Sequence, residues 1–361
     1  MPDVQEVFRL ATQKIDPEQG FVERQHHHQR RRTRNRKLGA LALAAVIGLV
    51  ALVAVIRAAD DGTGTWPAVE PTPTPPAGTA PETAYLIDLN TGEMTPLPKS
   101  IAGGGYAVSP DGTMVAYTSG DDAGNSQVFI ASLDGTDVQQ VTHDQRWAGE
   151  PDWSPDGAAI AYTSASVFAG PHYTGDGNIS NIFVLDLATG ETWQVTNEKP
   201  TTEKCLGCGT LGAVSPQFSP DGTSIVYEVS RAVPVLGSAN PLAVPRVSVR
   251  IVPVTGGKSV LLVGRAAGGT LSPDGSTLAV GCGFGGGLCI AHADGTNLRV
   301  LVSGRSLVPK WSPDGTRIAY INLDNKVFVV DVATGETTFV AEGTWPDWLD
   351  NHTLIIEGRG Q

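Results

Sequence analysis

From about residue 84 onward, apolar and polar positions alternate in short runs broken by turn residues. Met114-Val115-Ala116-Tyr117, Ile160-Ala161-Tyr162, Ile225-Val226-Tyr227, Leu278-Ala279-Val280 and Ile318-Ala319-Tyr320 each follow the same tetrapeptide, Ser-Pro-Asp-Gly, which begins at Ser109, Ser154, Ser219, Ser272 and Ser312. A period of two predicts half-buried strands. The tetrapeptide predicts the turns between them: Ser accepts local backbone bonds, Pro sets φ at the second position, Asp suits the third, and Gly tolerates a positive φ. A second hairpin follows each time, over Val128–Val141, Ile182–Val195, Val249–Leu262, Leu288–Leu301 and Val327–Val340. With the strands of one repeat lettered A to D, Ser-Pro-Asp-Gly joins A to B, and a second Gly-containing turn joins C to D.

The two ends of this region are each half a repeat. Tyr85–Leu97 reads as a C–D hairpin with no A–B before it, and Trp345–Glu357 as an A–B hairpin with no C–D after it. A four-stranded repeat of about 40–50 residues points to a β-propeller. The expected fold is therefore all-β: a six-bladed β-propeller closed by N- and C-terminal hairpins that share one blade, preceded by a single transmembrane helix. Closing the ring removes exposed strand edges.

The sequence ahead of the repeats is of another kind. Leu38–Ile56 holds nineteen residues without a charge, about 28 Å as a helix and close to the thickness of a bilayer core. Arg30, Arg31, Arg32, Arg34, Arg36 and Lys37 flank it on the amino side. This asymmetry predicts an uncleaved, single-pass anchor in the cell membrane with its N-terminus in the cytoplasm and the propeller outside. Residues 1–37 form the cytoplasmic tail, 38–56 the transmembrane helix, 57–82 a Pro/Thr-rich linker read as an extended stalk, and 83–361 the propeller. In the tail, Val4, Val7, Phe8, Ala11 and Ile15 share one face of a short amphipathic helix, read either as a signalling element or as a helix lying on the lipid surface. Charge divides the same way. The first 37 residues carry nine Lys/Arg against five Asp/Glu, and the remainder sixteen against thirty-two. An acidic outer domain argues against nucleic acid as a partner.

Candidate chemistry is sparse. Cys282 and Cys289 bracket Gly-Phe-Gly-Gly-Gly-Leu at the end of one B strand and the start of its C strand, within reach of a disulfide. Cys205 and Cys208 form Cys-Leu-Gly-Cys, read as a second local disulfide, with a metal site or a redox pair as alternatives. The A–B and C–D turns are tight, whereas three connections on the other face, Ser164–Asn181, Asn197–Val214 and Ser230–Val247, read as long loops. They suggest a binding patch of Phe168, His172, Tyr173 and Asp176, with His143, Arg146 and Trp147 from a neighbouring connection. Packing of these residues over the ring is the plainer alternative. Glu150, Asp152 and Lys310 read as isolated channel contacts or, more commonly for such residues, as solvated rim charges. No nucleophile elbow or zinc-protease motif is present. No catalytic residue, metal or cofactor is assigned, and no carboxylate pair stands out for a glycosidase or lyase.

Trp153–Tyr162 and Trp311–Tyr320 read W-S-P-D-G-x-x-I-A-Y, and the hairpin that follows has the form (V/I)-(F/Y)-V-x-D-x-x-T-G-E. This repeat resembles that of TolB-type propellers across roughly 84–361. It is also similar to the propellers of prolyl-oligopeptidase-like peptidases, whose hydrolase domain is not expected here. The TolB resemblance implies an envelope location and a protein partner reached through the propeller. A helix and stalk in place of the amino-terminal α/β domain of that family leave the partner open. The layout further resembles actinobacterial membrane proteins with an outer propeller and, more distantly, single-pass anti-sigma regulators. The function expected is a membrane-anchored, extracytoplasmic, non-catalytic binding scaffold whose partner is an envelope protein or a cell-wall glycan. The alternatives are a transmembrane sensor acting on a cytoplasmic regulator through the tail, and a carbohydrate-active enzyme.

Overall fold

The computed structural model describes residues 83–358 apart from 144–146, 168–177, 200–210, 235–242 and 284–285. Among the described residues the chain is all strand and turn. It opens with β1 (Thr83–Asp88) and β2 (Met94–Pro96). A four-stranded meander follows: β3 (Gly104–Val108), β4 (Met114–Gly120), β5 (Ser126–Ser132) and β6 (Gln139–Gln140). Next come β7 (Trp147–Trp153), β8 (Ala159–Val167), β9 (Asn178–Asp186) and β10 (Thr192–Gln194), then β11 (Leu211–Phe218), β12 (Ser224–Pro234), β13 (Ala243–Pro253) and β14 (Val260–Gly264). These last two meanders merge into one eight-stranded sheet through a short parallel contact of β9 with β11, at Leu211↔Ile179 and Gly212↔Ser180. Gly212, at φ 113°, permits that approach, because a Cβ there would collide with the Ser180 carbonyl. Two further meanders are β15 (Ala266–Leu271), β16 (Thr277–Cys282), β17 (Gly287–His292) and β18 (Arg299–Val302), and β19 (Ser306–Trp311), β20 (Arg317–Asn322), β21 (Lys326–Asp331) and β22 (Thr337–Glu342). The chain closes with β23 (Thr344–Trp348) and β24 (Thr353–Gly358).

The two ends meet as the half-repeats require. β1 pairs antiparallel with β24 over six residues, from Thr83↔Gly358 to Asp88↔Thr353, in a sheet ordered β2-β1-β24-β23. The first and last described strands are therefore the two central strands of one sheet.

The Ser-Pro-Asp-Gly turns repeat atom for atom. In each, the Gly N–H donates to the Ser carbonyl, and Gly lies at φ 69–72°. The Ser hydroxyl is buried, donates to the Asp carboxylate at 2.5–2.7 Å and accepts the N–H of the first residues of the B strand, such as Met114 and Ala159. One side chain thus satisfies both ends of a turn that would otherwise bury an unpaired donor.

Packing runs around the ring rather than through a single centre. Each core cluster lies between successive sheets or meanders: Ala107, Val128, Trp153 and Ile160 in one, Ile182, Ala213, Ile225 and Val252 in the next, and so on to Ala84, Ile101, Tyr117 and Ile355, where the closing sheet meets β3–β6. Ile160, Ile225, Leu278, Ile318 and Leu354 are fully buried at equivalent positions of their B strands, each contributing roughly 1.5–3 kcal/mol of transfer free energy.

Two of the long connections differ from the sequence-based expectation. The β8–β9 ladder continues past Ser164↔Asn181 to Val167↔Asn178, and the β12–β13 ladder continues past Ser230↔Val247 to Pro234↔Ala243. These segments are hairpin arms rather than loops, since their backbones stay paired beyond the rim. Cys282 and Cys289 form a disulfide across β16 and β17. Cys205 and Cys208 lie outside the described residues, as does the predicted anchor 38–56. Among the described residues no helix is long and apolar enough to cross a membrane.

Candidate functional site

The inner strand of every meander carries the same irregularity. β3, β7, β11, β15, β19 and β23 each break register against the adjoining strand, and each places one residue at positive φ at the break: Gly105 (63°), Glu150 (53°), Ser215 (53°), Gly268 (56°), Val308 (51°) and Trp345 (50°). These are β-bulges, and they recur where strands must bend around an axis. In four of these strands the next residue is proline (Pro151, Pro216, Pro309, Pro346), which is tolerated because a bulged residue need not donate to the ladder. All six bulge residues line one cavity of about 490 Å³ on the axis.

The bulges are tied to one another. The Glu150 N–H donates to Thr118 Oγ1 at 3.1 Å, and the Ser215 N–H donates to Glu150 Oε2 at 2.9 Å, which also accepts from the Thr163 hydroxyl. The Gly268 N–H donates to Glu228 Oε2 at 2.9 Å. Thr118, Thr163 and Glu228 occupy one equivalent position of strands β4, β8 and β12, so each bonds the bulge of the following inner strand.

One step deeper, two residues beyond each bulge, come Ala107, Asp152, Gln217, Thr270, Lys310 and Asp347. Lys310 Nζ lies 2.6 Å from Gln217 Oε1, 3.7 Å from Asp152 Oδ1 and 3.9 Å from Asp347 Oδ1. Of this cluster, Gln217 and Lys310 line the cavity. The other oxygens of the two aspartates are held by backbone: Asp152 accepts from the Phe218 N–H and Asp347 from the Val108 N–H. Where the next inner strand carries Trp instead, the indole N–H donates to the carbonyl at this level: Trp153 to Ala107, Trp311 to Thr270 and Trp348 to Lys310.

Burial governs the charge states. Removal from water pushes the Asp152 carboxyl up to about 6, although Lys310 opposes the shift. Burial also pushes Glu228 up to about 7, with the Gly268 N–H opposing and the nearby Glu150 charge adding to the rise. Glu150 is raised by burial as well. Glu150, Asp152 and Lys310 are thus partly buried, hydrogen-bonded groups rather than solvated rim charges. The sequence reading missed Glu228, Gln217 and Asp347. Superposing the repeats would have found them, since Gln217 and Asp347 fall at the same offset as Asp152 and Lys310, and Glu228 at that of Thr118 and Thr163.

The patch expected on the loop face is divided. His143 is exposed in the link from β6 to β7, and Trp147 is half-buried and pairs with Ala165 at the root of the β8–β9 arm. Arg146, Phe168, His172, Tyr173 and Asp176 lie outside the described residues. Among the described residues no group of three or more His, Cys, Asp or Glu could hold a metal ion.

A ring of meanders around an axial cavity, closed by its first and last described strands, is the architecture of a β-propeller. A structure described as TolB from Agrobacterium tumefaciens matches with a TM-score of 0.58 at 17% identity, over 77% of this chain and 98% of that one. Among curated proteins, the Tol-Pal system protein TolB of Alcanivorax borkumensis is 42% identical over 55 residues, 15% of this chain and 13% of that protein. Dipeptidyl-peptidase 5 of Porphyromonas endodontalis is 23% identical over 272 residues, 66% of this chain and 33% of that protein. The chain thus spans at most about a third of the length of these curated relatives. No protein-family model matches the chain. At these identities the likeness establishes the fold alone.

Proposed function

We propose that this protein is a non-catalytic binding module: a six-bladed propeller, carried outside the cell membrane on the stalk 57–82 and the anchor 38–56, that holds an envelope protein or a cell-wall glycan. The observation that carries this reading is the axial cavity, built from all the inner strands and fixed in shape by inter-strand hydrogen bonds at two levels. A rigid concavity of this size, mostly apolar with a few convergent polar groups, suits recognition. The test is crosslinking of the full-length protein in intact cells, followed by mass spectrometry. A reproducible envelope partner lost on mutation of cavity residues is the expected result; partners that ignore such mutations would overturn the reading.

A second reading, a carboxylate-based glycosidase or lyase, is favoured by one observation. Glu150 and Glu228 line the same cavity, and the Glu150 charge helps to raise the Glu228 carboxyl; a pair of carboxyls in one cavity is what such chemistry needs. Turnover of cell-wall polysaccharide by the purified protein, abolished in Glu228→Gln, would favour it over the first.

A further inference from the structure

Charge along the axis is graded. In β15 the chain passes from Arg265 through the bulge at Gly268 and Thr270 to the turn at Asp274. In β19 it passes from Arg305 through Val308 and Lys310 to Asp314. The arginines therefore stand at one mouth of the cavity, and the turn aspartates ring the opposite face. Arg246, from the arm strand β13, joins them in the cavity lining. In a region where acidic residues outnumber basic ones two to one, this convergence is unusual. Elsewhere Arg231 is bonded to Glu198, Arg250 to Ser259 and Arg317 to Asn351. The guanidinium groups of Arg246, Arg265 and Arg305 have no such partner among the described residues. Arg265 is also held at φ 57°, a conformation that a residue other than glycine adopts only when its surroundings impose it.

Two further groups await a ligand. Glu228 is only 9% exposed; one carboxylate oxygen is taken by the Gly268 N–H, and the other has no partner among the described residues although the side chain lines the cavity. Trp345 lines the same space, and its indole N–H is unpaired among the described residues. Guanidinium groups take carboxylates in bidentate fashion. A buried carboxyl with a free oxygen takes a hydroxyl or amide N–H, and an indole face takes a flat apolar surface.

We propose that the cavity recognises a small carboxylate-bearing molecule, gripped by Arg246, Arg265 and Arg305 at the mouth, with its hydroxyl or amide groups directed to Glu228. This rests on the binding reading above and names the chemistry of its ligand. A sugar acid and the C-terminus of a short peptide both carry that chemistry, so the test uses one of each. Full-length protein in detergent is titrated calorimetrically with D-glucuronate and with N-acetyl-alanyl-alanine, each against its uncharged counterpart, glucose or the peptide amide. Saturable binding of at least one acid is expected, at least tenfold tighter than its neutral counterpart and weakened by added salt. Arg265→Asn combined with Arg305→Gln should weaken it a further tenfold or more, while Lys99→Gln, remote from the cavity, leaves it unchanged. These arginine side chains make no hydrogen bond or ion pair among the described residues, and unchanged melting curves would establish that the variants fold. Which acid binds identifies the source. Equal binding of acid and neutral probes, binding of neither, or indifference to the arginine changes would overturn the proposal. A crosslinked envelope partner that persists in the arginine variants would leave the scaffold reading standing while this one falls.

Discussion

Carboxylates in this protein are displaced in opposite directions according to where they sit. Asp111, Asp156 and Asp274 in the Ser-Pro-Asp-Gly turns are held below the usual range, chiefly by the hydroxyl of the turn serine, whereas Asp152 and Glu228 on the axis are raised by burial to about 6 and about 7. The signs follow from proton linkage. A raised carboxyl binds more protons folded than unfolded, so its contribution to stability declines as pH climbs from the ordinary carboxylate range to about 6 for Asp152 and about 7 for Glu228. A lowered one loses its contribution as pH falls below the ordinary range. We expect the melting temperature to peak near pH 5 and to drop by a few degrees by pH 8. Asp152→Asn should flatten part of that decline, because Lys310 keeps Asp347 and Gln217. Circular-dichroism melts from pH 4 to 8 check this, and a steady rise to pH 8 would contradict it. The contrast also shows what a sequence discloses. The turn aspartates were legible because every partner lies within five residues. Glu228 was not, because its partner Gly268 is forty residues away and its role depends on the register of two bulges.

The inner strand with its bulge is the element that builds both ring and cavity. Its tryptophan is the link to the neighbour: Trp311 spans 3.2 Å to the Thr270 carbonyl, and Trp348 spans 2.9 Å to that of Lys310. Trp311→Phe keeps the ring volume nearest the backbone but leaves that carbonyl without its donor, which should cost about 1–3 kcal/mol, read as a lower denaturant midpoint with an unchanged slope. A midpoint equal to the parent's would mean that the bond contributes nothing. The strands and tight turns were legible from alternation and turn chemistry. The arms were not: Ser230-Arg231-Ala232-Val233 shows no period of two, and its strand character emerges only from pairing with Val244 to Val247. The bulge left a signal, the proline at 151, 216, 309 and 346, that only superposition of the repeats turns into geometry.

At the scale of the whole molecule, closure rests on the β1–β24 ladder. Ile355, fully buried, packs with Ala84, Ile101 and Tyr117 where the last sheet meets the first. Removing residues after Trp345 strips β1 of its partner and opens that interface. We expect loss of a cooperative thermal transition and rapid proteolysis; Ile355→Ala, a milder change costing about 2–5 kcal/mol, should lower the transition but keep it cooperative. A truncated chain that still melts sharply would show that the ring does not depend on its seam. The half-repeats made this seam legible, since an unmatched hairpin at each end has one natural mate. The seam also sets a timetable. β1 is among the first strands of the ring to leave the ribosome, and β24 is the last. At about 5–20 residues per second, the edge of β1 that takes β24 stays unpaired for tens of seconds. Throughout synthesis the nascent chain carries an open edge that any stray strand could occupy, and the ring becomes safe only when its final residues arrive.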